Sequence, residues 1–568
     1  MFLWVLSTSR WRARSTHSPA FLGQNGMRPT SVDRIAAPVL VALSFAICWF
    51  MMARGIGLMG DSAWYLAAAQ RLDSSHLIHE YHAPLYPILL GWLARGLDSL
   101  GLAARMYNAV AFSLTTLALF GLLRWNCSAG PLEASIATAF TVFSQPLLAN
   151  HADAASESTF FVFLMFTLIS LSRYRLEPRS LSWLCLAGAF TALACVARYA
   201  GLAVIGFCGL AILWQNRRCV GPAILHTSLY AILSLSLVVV VAAHSRMAGE
   251  RATGYELTFN GLNQHKAMQG VSTIIEWAVP YRLIAGLDLA GRIVVVLIGL
   301  GGIAWAFAMR RDRSAGRGAG LLACFALLYL LYAWATVAFA AFSVPLDNRI
   351  LGPAALTLIP FCSVALSASL RSRTSPRTYF LWAMVLTLAF GSFTGLRAWS
   401  YAARVHREGS GLRHVSWGKS PTLQFVRGLP ESVRLVSDGA DVLDVYLPER
   451  KTEWLPYKRN MQTVRPMHLY ETHMKELHND AAQGKALVVL FKGKHASDED
   501  FPHYLPNTRE ILSDANLEVL QEMPDGLILG VRAAWPHLLA APRKERKPYE
   551  HTEPGGDRSG SLGTQPRP

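Results

Sequence analysis

The chain has 568 residues, 52% of them hydrophobic and 16% charged, with a mean hydropathy of +0.29. Soluble domains carry roughly 25% charged residues, so this composition excludes an ordinary soluble globule and points to a polytopic membrane protein with a polar portion attached. The formal charge of +16 then reads as loop arginines that set topology, and no nucleic-acid partner is expected.

Residues 1–34 begin "MFLWVLSTSRWRARSTHS", an apolar start followed by arginines. A signal peptide has the opposite order, so a basic cytoplasmic arm is expected, with Met27 as an alternative start. Apolar runs near the ~20 residues that cross a bilayer follow at about 35–53, 104–123, 131–150, 158–172, 181–197, 200–214, 223–243, 291–309, 320–342, 350–369 and 378–396. With the N-terminus inside, the even-numbered connections carry Arg124; Arg173, Arg175 and Arg179; Arg217 and Arg218; Arg310, Arg311, Arg313 and Arg317; and Arg371, Arg373 and Arg377. The outer connections "NHADAASES" and "SVPLDN" carry no Lys or Arg, and "RYAG" carries one. This alternation is the positive-inside pattern. It predicts about eleven transmembrane helices over residues 35–396, external loops at 54–103 and 244–290, and an external location for everything after residue 397.

In the first external loop, "DSAWYLAAAQRL" predicts a helix along the membrane surface, with Trp64, Leu66, Ala67 and Leu72 toward lipid and Gln70, Arg71 and Asp73 toward water. Residues 397–540 alternate strand-like runs ("VRLVSD", "KALVVLFKG", "LEVLQEM", "LILGVR") with helical ones ("PTLQFVRGL", "HLYETHMKELHNDAAQG"), which predicts a small α/β domain. Residues 541–568 are polar and rich in Pro and Gly, so a disordered tail is expected. The fold class is therefore an all-α polytopic membrane protein with a small C-terminal external α/β domain. The eight cysteines lie in or beside apolar runs, without metal-type spacing or a disulfide framework.

The spans hold almost no ionisable residues away from their ends. A transporter usually needs such groups at membrane depth, so a flippase or transporter is the second reading and chemistry at the outer corners the first. Asp61 opens the surface helix, where an Asp cap is worth ~1 kcal/mol over Ala and would be fixed at headgroup depth. Asp153 and Glu157, four apart, would share one helix face and repel unless a cation or a substrate hydroxyl intervenes. Arg198 and Arg349 stand alone at outer span ends, and a phosphate would suit their forked guanidinium. Asp347 offers Arg349 a local salt-bridge alternative. Of His76, His79 and His82, three apart, the Pro84–Pro87 turn ends any shared helix, which leaves His82 as a positioning residue near the acceptor.

The stretches "GDSAWYLAAAQRL" and "HAPLYPILLGWL" resemble the first external loop of the GT-C superfamily of membrane glycosyltransferases, related to protein O-mannosyltransferases and aminoarabinose lipid A transferases. "ADAASESTFFVFLMF" resembles their acidic corner, "ARYAGL" and "DNRILGPAALTLIP" their later Arg-bearing corners, and "GSGLRHVSWGKSPTLQFVRGLPESVRLVSDGADVLDVYL" the start of their soluble domain. The similarity spans most of residues 35–450. It implies a sugar donor on a polyprenyl phosphate and a lipid, glycan or protein acceptor, meeting outside the cytoplasmic membrane. It also implies Asp61 as general base and Glu157 at the second acidic position. The first loop departs from the family in having Ser62, not a second acid, after Asp61. Transfer would be an inverting single displacement, with Arg349 and Arg198 on the leaving phosphate and His82, Tyr65 and Asp153 positioning acceptor or donor. Asp61, Asp153 and Glu157 are also the candidate ligands of a Mg²⁺ or Mn²⁺ ion, because oxygen-only sets suit those cations.

Overall fold

The computed structural model describes residues 30–72, 82–177, 180–247, 259, 261, 264–279, 286–296, 313–339, 344–373, 375–460, 465–492 and 504–536. The expected basic arm before residue 30, His76 and His79, much of the loop 244–290, most of the run 291–309 and the expected tail 541–568 lie outside them.

The bundle begins with α1 (Ser31–Met51). Thr30 caps it reciprocally: its Oγ1 accepts Asp33 N–H at 3.2 Å, while the Asp33 carboxylate accepts Thr30 N–H at 2.8 Å. There follow α2 (Gly60–Gln70), α3 (Leu85–Leu97), α4 (Leu100–Gly121), α5 (Pro131–Val142), α6 (Gln145–Ala152), α7 (Glu157–Leu176), α8 (Leu181–Ala197), α9 (Leu202–Asn216), α10 (Val220–Met247), α11 (Gln264–Glu276), α12 (Arg313–Phe339), α13 (Gly352–Arg373) and α14 (Pro376–Glu408). The main packing pairs are α1 with α4, α7 with α8, α8 with α10, and α12 with α13. Phe112, Phe160, Phe161, Tyr174, Tyr230 and Phe325 are buried between the helices, while α10 and α14 keep exposed Leu, Ile, Val and Trp side chains, as lipid-facing helices do.

Among the described residues, six helical stretches are long and apolar enough to cross a membrane: 31–54, 100–126, 157–176, 199–216, 220–247 and 318–339. Leu85–Leu97, Leu181–Ala197 and Gly352–Ala368 are shorter apolar helices. The run at 131–150 is not one span. Pro146 lacks the N–H a continuous helix needs, and the chain breaks between Val142 and Gln145, where Ser144 Oγ donates to Thr141 O at 2.6 Å. The run at 378–396 lies within α14, which continues to Glu408.

The bundle has two polar ends. At one, Arg124 pairs with Asp33 at 2.9 Å, both buried, and Arg371 and Tyr379 both reach Glu133. At the other lie Asp61, Glu157, Arg198 and Arg349. The predicted surface helix is α2, and none of the residues expected toward lipid is among those it buries. It packs against α3 and buries Ser62, Tyr65, Ala68 and Ala69, while Ala67 is exposed and Trp64 stacks on the His82 ring at 4.5 Å.

Residues after α14 form a five-stranded sheet of order β2-β1-β3-β5-β4, from β1 (Arg434–Ser437), β2 (Thr452–Trp454), β3 (Ala486–Phe491), β4 (Glu518–Met523) and β5 (Gly526–Gly530). β2, β1 and β3 run parallel, and β5 is antiparallel to β3 and β4. The helix Tyr470–Ala482 covers the sheet through Met474 and Leu477, in a core shared with Val436, Val488 and Leu529. The sheet domain is joined to the bundle by backbone. Leu58 bridges Gly411, and Leu412 N–H donates to Leu58 O at 2.7 Å. Gly411 has φ +57°, and a Cβ there would fall 2.0 Å from Leu58 O, so only glycine fits this left-handed, close approach.

Candidate active site

The four charged residues converge around one guanidinium. Arg349 Nη2 donates to Asp61 Oδ2 and its Nε donates to Glu157 Oε1. Arg198 Nη1 pairs with the same Glu157 oxygen. The two acids and two arginines balance in formal charge. They differ in access: the Glu157 side chain is 1% exposed and that of Asp61 38%. Glu157 thus lies beneath the arginines, and Asp61 is the carboxylate that an incoming molecule can reach.

Each side chain is held from a different element. Asp61 is the second residue of α2. It does not cap the helix as the sequence suggested, because Ser62 Oγ accepts Met59 N–H at 2.8 Å in that role. This leaves the Asp61 carboxylate free of backbone duty and turned toward Arg349. Glu157 is the first residue of α7. Arg198 follows the end of α8 in extended conformation, φ −159° and ψ 133°, and Tyr332 OH donates to the neighbouring Tyr199 O at 3.4 Å. Arg349 sits in a turn braced by α11: Leu346 N–H donates to Gln269 Oε1, Thr273 Oγ1 to Leu346 O and Trp277 Nε1 to Asn348 Oδ1, each at 2.9 Å. Asn150 of α6 donates to Asn348 O, also at 2.9 Å. Asp347 is no salt-bridge partner to the Arg349 side chain. Its Oδ1 accepts the N–H groups of Arg349 and Ile350 at 2.9 and 3.1 Å and shapes the turn. Nothing in the local sequence marks Gln269, Thr273 or Trp277 as supports, since they act across more than 70 residues.

The fields in the site separate its carboxyls. Enclosure by protein pushes Asp61 up, but the charges of Arg349, His82 and Arg198 outweigh it and hold the group below the usual carboxylate range. Burial pushes Asp153 up to about 6, against a Ser410 hydrogen bond and the Arg349 charge. Asp153 does not share a helix face with Glu157. It caps the end of α6 with φ −108° and ψ 151°, in a backbone bridge to Gly57. Its carboxyl packs against Gly57, where a Cβ would fall 1.9 Å from Oδ1. His82 stacks on Trp64 and meets Tyr65 edge-on at 5.4 Å, and Tyr65 OH donates to Ser156 Oγ at 3.1 Å beside Glu157.

The candidate Mg²⁺ or Mn²⁺ ligands Asp61, Asp153 and Glu157 do not come together around one site. Among the described residues no three His, Cys, Asp or Glu groups come together as ligands. Arg349 lies between Asp61 and Glu157, and Asp153 faces Gly57 and Ser410. A guanidinium stands where a cation would have to sit.

No family model matches the chain, and no curated protein does. Among solved structures it is similar to ArnT from Cupriavidus metallidurans bound to undecaprenyl phosphate, at 13% identity over 89% of this chain and 99% of that one, with a TM-score of 0.53. The apo state of the same protein matches at 13% identity, the same coverage and a TM-score of 0.52. The archaeal oligosaccharyltransferase AglB from Archaeoglobus fulgidus, in complex with an inhibitory peptide and a dolichol-phosphate, matches at 13% identity over 81% of this chain and 70% of that one, with a TM-score of 0.48. The first two, which cover nearly the whole of both chains, show the fold: it is GT-C-like. The particular chain is a membrane protein of this fold with a five-stranded sheet domain at its C-terminal side.

Proposed function

We propose that the chain is a glycosyltransferase that moves a sugar from a polyprenyl-phosphate donor to an acceptor hydroxyl or amine at the outer face of the cytoplasmic membrane. The observation that carries this reading is the reachable Asp61 bound to Arg349, with Glu157 and Arg198 beneath, in a fold shared with a protein bound to undecaprenyl phosphate. The cluster is formally neutral, so it takes up one anion by exchanging partners. The donor phosphate draws the fork of Arg349 away from Asp61 and shares it. Asp61, released from its counter-ion, gains basicity as the reaction begins.

The acceptor then attacks the anomeric carbon from the face opposite the phosphate. Its proton passes to Asp61, the C1–O bond to phosphate breaks, and configuration inverts. Arg349 and Arg198 stabilise the charge gathered on the leaving phosphate, as donors fixed in place before the reaction do. Glu157 is a positioning residue that keeps both arginines aimed. His82 and Tyr65, beside Asp61 on a wall of stacked rings, are assigned to acceptor positioning, and Asp153 to the backbone bridge that fixes the loop. The assignment extends to residues 35–396 as the catalytic unit and 397–540 as an external domain. The test is to incubate purified protein with a panel of labelled polyprenyl-phosphate sugars and candidate acceptors. Transfer from one donor that Asp61→Asn abolishes supports the reading; hydrolysis or transfer by neither protein, across the panel, would sink it.

A further inference from the structure

A second basic site lies at the same end of the bundle and outside the proposed reaction centre. Helix α14 carries Arg397, Arg404 and Arg407 at spacings of seven and three, so they share one helix face. They line an open cavity of about 550 Å³ with Gln145, Tyr401 and Glu408. Its height in the bundle is set by three contacts: His406 Nδ1 lies 2.8 Å from Phe50 O near the end of α1, Trp399 stacks on Phe50 at 5.5 Å, and Ser410 bonds the Asp153 carboxyl.

The arginines are poorly neutralised. Arg397 Nη2 donates to Gln145 Oε1 at 3.0 Å and Nη1 to the backbone oxygen of Glu276 at 2.5 Å, both uncharged acceptors. The Glu276 carboxyl lies within reach of its field. Arg404 lies over the Tyr401 ring, 5.6 Å from its centroid. Among the described residues neither Arg404 nor Arg407 forms a salt bridge, and both are exposed. The one acid on the cavity wall, Glu408, pairs with His414 at 3.3 Å. On the same side of α14, Phe393 and Leu396 line the cavity, Leu396 68% exposed, and Phe390, 46% exposed, precedes them by one turn. The combination is an apolar strip ending in a cup of guanidinium groups.

We propose that this cavity docks the phosphate headgroup of an anionic membrane lipid, whose acyl chain lies along Phe390, Phe393 and Leu396. Three forks converging on one volume suit a phosphodiester, and the adjoining strip selects a lipid over a free anion. The site holds whether or not the transfer chemistry proposed above is correct.

The test is native mass spectrometry of the full chain in detergent, supplied with phosphatidylglycerol or phosphatidylcholine. Hydrogen bonds to charged groups are worth ~1.5–3 kcal/mol each, so the wild type should retain phosphatidylglycerol roughly tenfold or more over phosphatidylcholine. The double variant Arg404→Gln/Arg407→Gln should lose that preference. Arg217→Gln/Arg218→Gln, which removes two exposed arginines from the opposite end of the bundle, should keep it, and it controls for loss of charge as such. Equal retention of the two lipids by the wild type, unchanged retention in the Arg404/Arg407 variant, or equal losses in both double variants would each overturn the proposal. Displacement of the lipid by inorganic phosphate alone would also overturn it, since it would show an anion site without a lipid's tail.

Discussion

Ion pairs in the helical bundle and in the sheet domain are built to different rules. In the bundle, Arg349 joins Asp61 and Glu157 across 288 and 192 residues, and the Glu157 side chain is 1% exposed. In the sheet domain, Arg532 pairs with Glu518 across 14 residues with both side chains 58% exposed, and Arg434 reaches Glu453 and Asp480 at the rim of the sheet. Surface pairs of that kind are worth ~0–1 kcal/mol. A buried pair costs so much desolvation that an apolar replacement often serves stability as well or better. The bundle therefore keeps its charges for something other than stability, and the sheet domain's charges need no such explanation.

Substitutions can break this contrast or sharpen it. The largest effect is expected from Asp61→Asn, which keeps the size of the side chain and removes the proposed base. Transfer of labelled sugar should fall ~10²–10⁴-fold, the usual contribution of a general base, with normal protein levels in the membrane. Full activity would place the base elsewhere. Next is Glu157→Ala, which leaves two arginines beneath the site without their shared acid. Breaking a buried pair from one side costs ~3–5 kcal/mol, and thermal unfolding in detergent should fall accordingly; an unchanged transition would mean that the arginines find water instead. Arg349→Lys keeps the charge and loses the fork. Donor binding should weaken roughly tenfold or more, as expected for a lost hydrogen bond to a charged group, and donor titration of the initial rate would read it.

The two aspartates on either side of Gly57 predict opposite pH responses. Asp61 is held below its ordinary range, so its contribution to stability is present above that range and lost as pH falls through its folded value. Asp153 is pushed up to about 6. Its contribution is complete below the ordinary value of 3.8 and is lost as pH rises toward 6. Unfolding followed from pH 4 to 7 should therefore show Asp153→Asn gaining on the wild type as pH rises; parallel curves would show that Asp153 is not protonated in that window. The smallest effect belongs to the sheet domain. Arg532→Ala should change stability by less than about 1 kcal/mol, and a larger loss measured in the full chain would remove the contrast between the two regions.

The sequence made the candidates visible one at a time and left their arrangement hidden. Asp61, Glu157, Arg198 and Arg349 could each be singled out because a charge at the end of an apolar span is costly and therefore noticeable. That Arg349 would grip two carboxylates at once was not legible, because the contact joins three corners of the bundle. The pairing of Asp153 with Glu157 failed for a local reason. The i, i+4 argument assumes a continuous helix, whereas the chain is extended at Asp153, where it bridges Gly57, and bends before α7 begins at Glu157. Similarly, Asp61 looked like a cap because caps are usually Asp, Ser, Thr or Asn, whereas Ser62 supplies the hydroxyl from within the first turn. In the C-terminal domain the four long strands follow their apolar runs, but β2 has three residues, half-buried to exposed, too short to give a period.

The backbone joint at Gly57 and Leu58 ties three parts of the chain into one short ladder. Gly57 pairs with Asp153 of the bundle, Leu58 pairs with Gly411 at the root of the sheet domain, and Asp61 follows three residues later. Any tilt of the sheet domain is thus transmitted to the Asp61 carboxylate, the proposed base, through a few peptide units. The domain is then a poor candidate for modular exchange. A chimera carrying a foreign soluble domain would inherit its fold but not the glycine that lets the chain pass over Leu58, and the price would appear as a misaimed Asp61.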